Sequence, residues 1–173
     1  MNQELLIKCK NKDRNAQRQV YAQNAGKLFT LCKRYLKNDE DAEEILADTF
    51  FIIFTKIDQL KDSDFFEAWA RKIAVNNCLQ LLRKKDKLKI SIEETFIEKT
   101  LSTEANNFSF EKDLLSLLHY LPEGCRTIFN LFVIEGYPHK EIAEMLSISE
   151  GTSKSQVNFA RKKLQEMLQF QNI

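Results

Sequence analysis

Between Lys154 and Lys163 the chain carries Lys, Arg, Ser, Gln, Asn and Phe side chains and no acid. Winding these residues at about 100° per residue separates two faces. Val157, Ala160, Leu164 and Leu168 fall at i, i+3, i+7 and i+11, which makes an apolar stripe suited to burial. Ser155, Asn158, Phe159 and Lys162 fall on the opposite face, and Lys154 and Arg161 flank the stripe. Short polar groups can pair with base edges while cations pair with phosphates, so this is the chemistry of a helix that reads the DNA major groove. Phe159 has a use there in apolar contact with thymine methyl groups. The alternative is an ordinary surface helix with an incidental aromatic.

A reading helix needs a partner helix and a fixed turn. Pro138 is placed to open the first helix, where its missing N–H costs nothing. Ile142, Ala143 and Leu146 then recur at helical spacing, and Ile148 plugs the turn. Ser149 is a good N-cap, with Glu150 favourably set against the helix dipole. Glu135–Leu164 therefore reads as a helix-turn-helix.

Charge is segregated elsewhere too. The net charge is only +1, from 26 Lys and Arg against 25 Asp and Glu. Yet Asp39–Asp48 holds six acids and no base, and Arg71–Lys89 holds seven bases and one acid, Asp86. Asp41, Glu44 and Asp48 stand at i, i+3 and i+7, so they share a helix face. That face is either a protein-binding surface or a solvated acidic first turn that satisfies the helix dipole. A near-neutral total conceals basic faces suited to nucleic acid.

The composition predicts an all-α chain: 173 residues with thirteen Phe but only four Gly and two Pro leave few breakers. No apolar run reaches the roughly 18–20 residues that span a bilayer, and the N-terminus has no signal-peptide core, so a cytoplasmic protein is expected. Cys9, Cys32, Cys78 and Cys125, like His119 and His139, are isolated in sequence, which predicts reduced thiols and neither metal nor cofactor. No Gly-rich phosphate loop, HExxH or nucleophile elbow points to an enzyme.

Helices are expected up to about Lys85: one covering Ala25–Leu36, a cap and turn at Asn38–Asp39, one from Asp41 to about Ile57, and a long one from Asp64 to Arg83. Asp64 and Glu67 resemble a capping box at the start of the last. Trp69, at helical spacing with Phe65, Phe66 and Ile73, reads as core before it reads as a stacking platform. Residues 87–109 lose the period and read as a polar, flexible linker with Ile90, Ile92 and Phe96 as docking points. The helical pattern returns at Phe110, with Pro122 opening a helix through CRTIFNLFVIE and Gly136 stopping it. Two small helical domains follow, 1–86 and 110–173, joined by the linker, with no further domain expected beyond Leu168.

Two blocks resemble bacterial RNA polymerase sigma factors of the small extracytoplasmic-function group. CKRYLKNDEDAEEILADTFFIIFTKI with FFEAWARKIAVNNCLQLLRK is similar to the family's region two, and LPEGCRTIFNLFVIEGYPHKEIAEMLSISEGTSKSQVNFARKKL to region four. The resemblance implies a transcription initiation factor that binds core polymerase, through the largest-subunit clamp helices and the flap region, and directs it to promoters. Asp41, Glu44, Asp48 and Phe51 would form the clamp-binding surface. Gln59, Leu60, Lys61, Asp62 and Ser63 would form the minus-ten loop, with Lys72, Asn76 and Arg83 beside it. Lys154, Ser155, Gln156, Asn158, Phe159, Arg161 and Lys162 would read the minus-thirty-five element. The resemblance also makes an anti-sigma partner plausible. Ser147 and Ser153 depart from the family pattern, where the turn commonly has Gly and the helix usually has Val; Phe65 stands where smaller residues are frequent. A stand-alone helix-turn-helix regulator is the alternative reading, and it has no use for the acidic helix or the KIAVNN segment.

Overall fold

A computed structural model of the chain describes the backbone of residues 1–85 and 110–170, and the side chains of 1–85 and 115–169. Every regular element among these residues is helical, and the chain divides into two compact units, Met1–Lys85 and Asp86–Ile173. The sequence-predicted linker, with Ile90, Ile92 and Phe96, lies outside the described residues.

The first unit holds α1 (Gln3–Lys10), α2 (Arg14–Tyr35), α3 (Asp39–Lys56) and α4 (Phe66–Lys84). Three of these starts carry a side-chain cap. Asn2 accepts the Leu5 N–H at 2.8 Å, Asp13 accepts the Ala16 N–H at 2.8 Å, and Asn38 accepts the N–H groups of Glu40 and Asp41 at 2.7 and 3.3 Å. Each cap satisfies amides that the helix itself leaves orphaned, for about 1 kcal/mol. Because Asn38 is the cap, α3 starts at Asp39, before the Asp41 expected from sequence.

The expected start of α4 is corrected as well. The Asp62 carboxylate, not that of Asp64, closes the turn, accepting the Asp64 N–H at 2.9 Å. Ser63–Phe65 then form a single 3₁₀ turn and α4 begins at Phe66. Asp62 is extended (φ −131°, ψ 132°), the backbone state of a cap, whereas Asp64 already lies inside the turn.

Helices α2, α3 and α4 pack pairwise around Leu31, Tyr35, Ile53, Phe66 and Leu79, all 2 % exposed or less. Each such side chain contributes about 1.5–3 kcal/mol through burial. Ala70 and Ala74 are buried and small, which keeps the inward face of α4 low where other helices approach it. Between α3 and α4, Asn77 donates to Thr49 Oγ1 at 3.2 Å and Thr49 donates to the Ile45 carbonyl at 2.7 Å, so the buried polar groups pair with each other. All four cysteines are free and buried. A hydrogen bond with Cys32 and burial push the Cys78 thiol well up, and burial pushes Cys125 to about 12, which leaves these thiols unreactive.

The second unit holds α5 (Phe110–Tyr120), α6 (Glu123–Phe129), a π-helical turn (Asn130–Ile134), α7 (His139–Leu146) and α8 (Glu150–Phe170). Pro122 precedes α6 as expected, but the helix expected through Glu135 widens into the π turn. There the Glu135 N–H reaches back five residues to the Asn130 carbonyl at 2.9 Å, and the Tyr137 N–H bonds the Leu131 carbonyl at 2.9 Å. Gly136 follows at φ 79°, a left-handed conformation that suits glycine. Fully buried Arg126 donates from Nη1 to the Leu121 carbonyl at 3.3 Å and lies 3.8 Å from the Glu123 carboxylate, and burial lowers its pKa.

α8 packs its stripe Val157, Ala160 and Leu164 against α5, α6 and α7. Leu168, expected on that stripe, is 47 % exposed, and Met167 packs on the core instead. The two are the i+3 and i+4 neighbours of Leu164, and the partner helices cover only the first. Between α7 and α8 the turn has Ser147 at φ 56°, ψ 46°. An L-residue is strained there, so Ser147→Gly is expected to stabilise the second unit by about 1 kcal/mol. Thermal denaturation should show a rise of roughly 4–8 °C; no rise would mean that the serine side chain offsets the strain.

Candidate nucleic-acid interface

The outward side of α8 begins at its cap. Ser149 Oγ accepts the Thr152 N–H at 2.9 Å, and Ser155 Oγ donates to the Thr152 carbonyl at 2.9 Å. Lys154, Ser155, Asn158, Arg161 and Lys162 are all exposed along this side. An exposed i,i+4 pair links Lys154 to Glu150 at 3.7 Å, and a contact of that kind is worth at most about 1 kcal/mol, too little to withhold Lys154 from a phosphate. Gln156 is half-buried, and its backbone carbonyl accepts from the Cys125 thiol at 3.4 Å.

Phe159 is placed differently from the sequence expectation. Its ring is partly buried against the cluster of Leu117, Leu118, Leu121, Cys125, Ala160 and Leu164. That contact recovers about 25 cal/mol per Å² of apolar surface. Phe159 thus packs on the core of the second unit with part of its ring and leaves the rest open on α8.

Three residues outside the sequence-predicted set complete this region. Ser153, in the first turn of α8, is fully buried, with its Oγ in hydrogen-bond contact with His139 Nδ1 at 2.9 Å. The His139 ring stacks on Phe132, with centroids 4.0 Å apart and planes 13° apart. The Arg161 guanidinium lies over the Phe132 ring at 5.9 Å, a cation–π contact of about 0.5–1 kcal/mol. Ser153 precedes Val157 by four residues, so the stripe itself was the available signal: a polar residue on a buried face requires a partner.

In the first unit, Gln59, Lys61 and Asp62 of the predicted loop are exposed, whereas Leu60 and Ser63 are buried at 6 % and 7 %. The Leu60 N–H bonds the Ile57 carbonyl at 3.1 Å, and the Ser63 N–H donates to Gln3 Oε1 of α1 at 3.1 Å. Leu60 and Ser63 therefore anchor the loop, and only its other three side chains are presented. On α4, Lys72, Asn76 and Arg83 are exposed at i, i+4 and i+11, one face of the helix. Trp69 is half-buried with its ring centroid 6.3 Å from that of Phe66, so the expected core position is only partly enclosed; Phe65 is 66 % exposed.

The acidic helix divides. Asp41 binds Lys85 Nζ through both oxygens at 2.6 and 2.7 Å, and Asp39 pairs with Lys33, so these acids tie α3 to α4 and α2. Glu44, Asp48 and Phe51 are exposed at i, i+4 and i+7, with Phe51 72 % exposed. An aromatic left that open beside two carboxylates is the composition of a protein-docking face.

Two helical units, one with an exposed helix side that carries no acid from Lys154 to Lys163 and the other with an acidic, aromatic face, have the composition of a DNA-reading protein that docks on another protein. The family description "Sigma-70 region 2" matches residues 20–88, and "Sigma-70, region 4" matches residues 111–164. The chain belongs to the sigma-70 family of RNA polymerase sigma factors, in its extracytoplasmic-function (ECF) group. It is 27 % identical over 188 residues to the ECF RNA polymerase sigma factor SigW of Bacillus subtilis, covering 95 % of this chain and 98 % of that protein. It is 24 % identical over 156 residues to ECF RNA polymerase sigma factor SigE of Mycolicibacterium smegmatis, covering 87 % of this chain but 60 % of the relative's length. The solved structure of the sigma factor RpoE in complex with the anti-sigma factor NepR from Bartonella quintana aligns with a TM-score of 0.55 at 25 % identity, over 88 % of this chain and 96 % of that one.

Proposed function

We propose that this chain is a promoter-specificity factor: it binds core RNA polymerase and directs it to particular promoters in the cytoplasm, with no catalysis of its own. The carrying observation is the presence in one chain of both family regions, each with an exposed face of matching chemistry. Glu44, Asp48 and Phe51 dock on the polymerase clamp helices, with Asp41 supporting α3 through Lys85. Gln59, Lys61 and Asp62, with Lys72, Asn76 and Arg83, hold the opened minus-ten strand, where an unstacked base needs hydrogen bonds and nearby cations. Lys154, Ser155, Asn158, Arg161 and Lys162, with Gln156 at the edge, meet the minus-thirty-five element; phosphate contacts position the helix and base contacts specify the sequence. The likeness to a sigma factor solved with its anti-sigma factor supports a protein inhibitor as a further partner.

Binding of the labelled full chain to core RNA polymerase, in competition with a housekeeping sigma factor, tests this. The expected result is mutual displacement with little affinity of the free chain for duplex DNA. Tight sequence-specific binding to duplex without any binding to core would instead make it a stand-alone regulator.

A further inference from the structure

We infer that Phe132 is a positioning residue for DNA binding: its ring, stacked on His139, seats the Arg161 guanidinium at the edge of α8 for contact with a promoter phosphate. This rests on α8 being the recognition helix. The support for the ring is continuous and local. Phe132 sits in the π turn, His139 opens α7, and His139 Nδ1 is 2.9 Å from the buried Ser153 hydroxyl in the first turn of α8. The ring is therefore tied, through His139, to the helix whose cation it carries. The rings lie in face-to-face contact at 4.0 Å and 13°, so moving the Phe132 ring off Arg161 would break this stack.

The contact has a useful asymmetry. A ring face attracts the positive charge of a guanidinium without using its N–H donors, so those donors remain for phosphate oxygens. A carboxylate in the same place would compete with the phosphate. Arg161 is exposed and belongs to the acid-free segment Lys154–Lys163, so a phosphate approaching this edge meets no carboxylate from α8 between those residues. Holding a long side chain near its bound geometry reduces the ordering that binding must impose. It follows that Ser153 and His139, which replace an apolar contact with a polar one, matter for DNA binding through the ring they hold.

The test uses holoenzyme reconstituted from the full chain and core RNA polymerase, and the duplex that wild-type holoenzyme selects from a randomised pool. Arg161→Ala is expected to weaken binding roughly tenfold and to flatten the slope of log affinity against log salt by about 0.9, the loss of one phosphate contact. Phe132→Leu should weaken binding by roughly 3- to 5-fold, and Phe132→Tyr, which keeps a ring face, should restore it. The double variant Phe132→Leu/Arg161→Ala should bind no more weakly than Arg161→Ala alone. An unchanged salt slope for Arg161→Ala overturns the inference, and that surface variant leaves packing intact even if Phe132→Leu lowers the melting temperature. Additive losses in the double variant, or equal losses for the Leu and Tyr variants, also overturn it, since the ring would then serve packing alone. Failure of the wild-type holoenzyme to select any duplex would instead remove the recognition-helix reading beneath it.

Discussion

Reversing the charge at Glu44 and Asp48 together, each to Lys, is expected to lower affinity for core RNA polymerase by about 100-fold or more. The two carboxylates are exposed four residues apart, with Phe51 beside them, and their side chains contribute nothing to the core of the first unit. Like charge set against a complementary surface costs several kcal/mol, and about 2.8 kcal/mol corresponds to that factor. Phe51→Ala should act in the same direction by about 2 kcal/mol, as an aromatic anchor does, without lowering the melting temperature of the free protein. Asp41→Asn makes the contrast. Its carboxylate already binds Lys85, so the variant should lose at most about 1 kcal/mol of stability and leave polymerase affinity near wild type. Competition binding against a labelled housekeeping sigma factor separates these outcomes. Full affinity in the double Lys variant would place the clamp surface elsewhere, and a binding defect in Asp41→Asn alone would return that residue to the interface.

Asp41 shows where legibility in the sequence ended. Helical spacing correctly grouped the acids, because i, i+3, i+4 and i+7 neighbours are a property of one helix. The partner that removes Asp41 from the open face, Lys85, lies at the far end of the unit and comes beside it only when α3 packs on α4. Ser63 follows the same rule: its loop was legible from its polar composition, but the group that anchors Ser63 is Gln3 of α1. Features carried by local chemistry were legible. Pro138 leading α7, Ser149 capping α8, Gly136 at a positive φ and the stripe Val157–Ala160–Leu164 stand as the residue types imply. The π turn was not, since hydrophobic residues at helical period do not distinguish a bond reaching back four residues from one reaching back five. Nor was the stack of Phe132, His139 and Ser153, which needs that turn to bring its members together.

Phe159 and its neighbours on α8 give the second large effect, because the structure divides a set that the sequence treated as one. Lys154→Ala, Ser155→Ala and Asn158→Ala combined are expected to abolish selective use of the minus-thirty-five element. Each good base contact discriminates by about 1–3 kcal/mol, so losing two of them alone exceeds a 25-fold preference. These side chains are exposed, so the melting temperature and the affinity for core polymerase should stay at wild-type values. Phe159→Ala should do the reverse. Its ring is partly buried against the core cluster of the second unit, and truncating a half-buried aromatic costs about 2 kcal/mol of stability, less than the full core value. Promoter preference measured below the new melting point should then be unchanged in rank, with all sequences bound somewhat more weakly. Template competition between the selected promoter and variants altered at one base pair each is the measurement. A selective loss at thymine-bearing positions in Phe159→Ala, at constant stability, would return that ring to the groove and make its packing on the core cluster a resting position that DNA displaces.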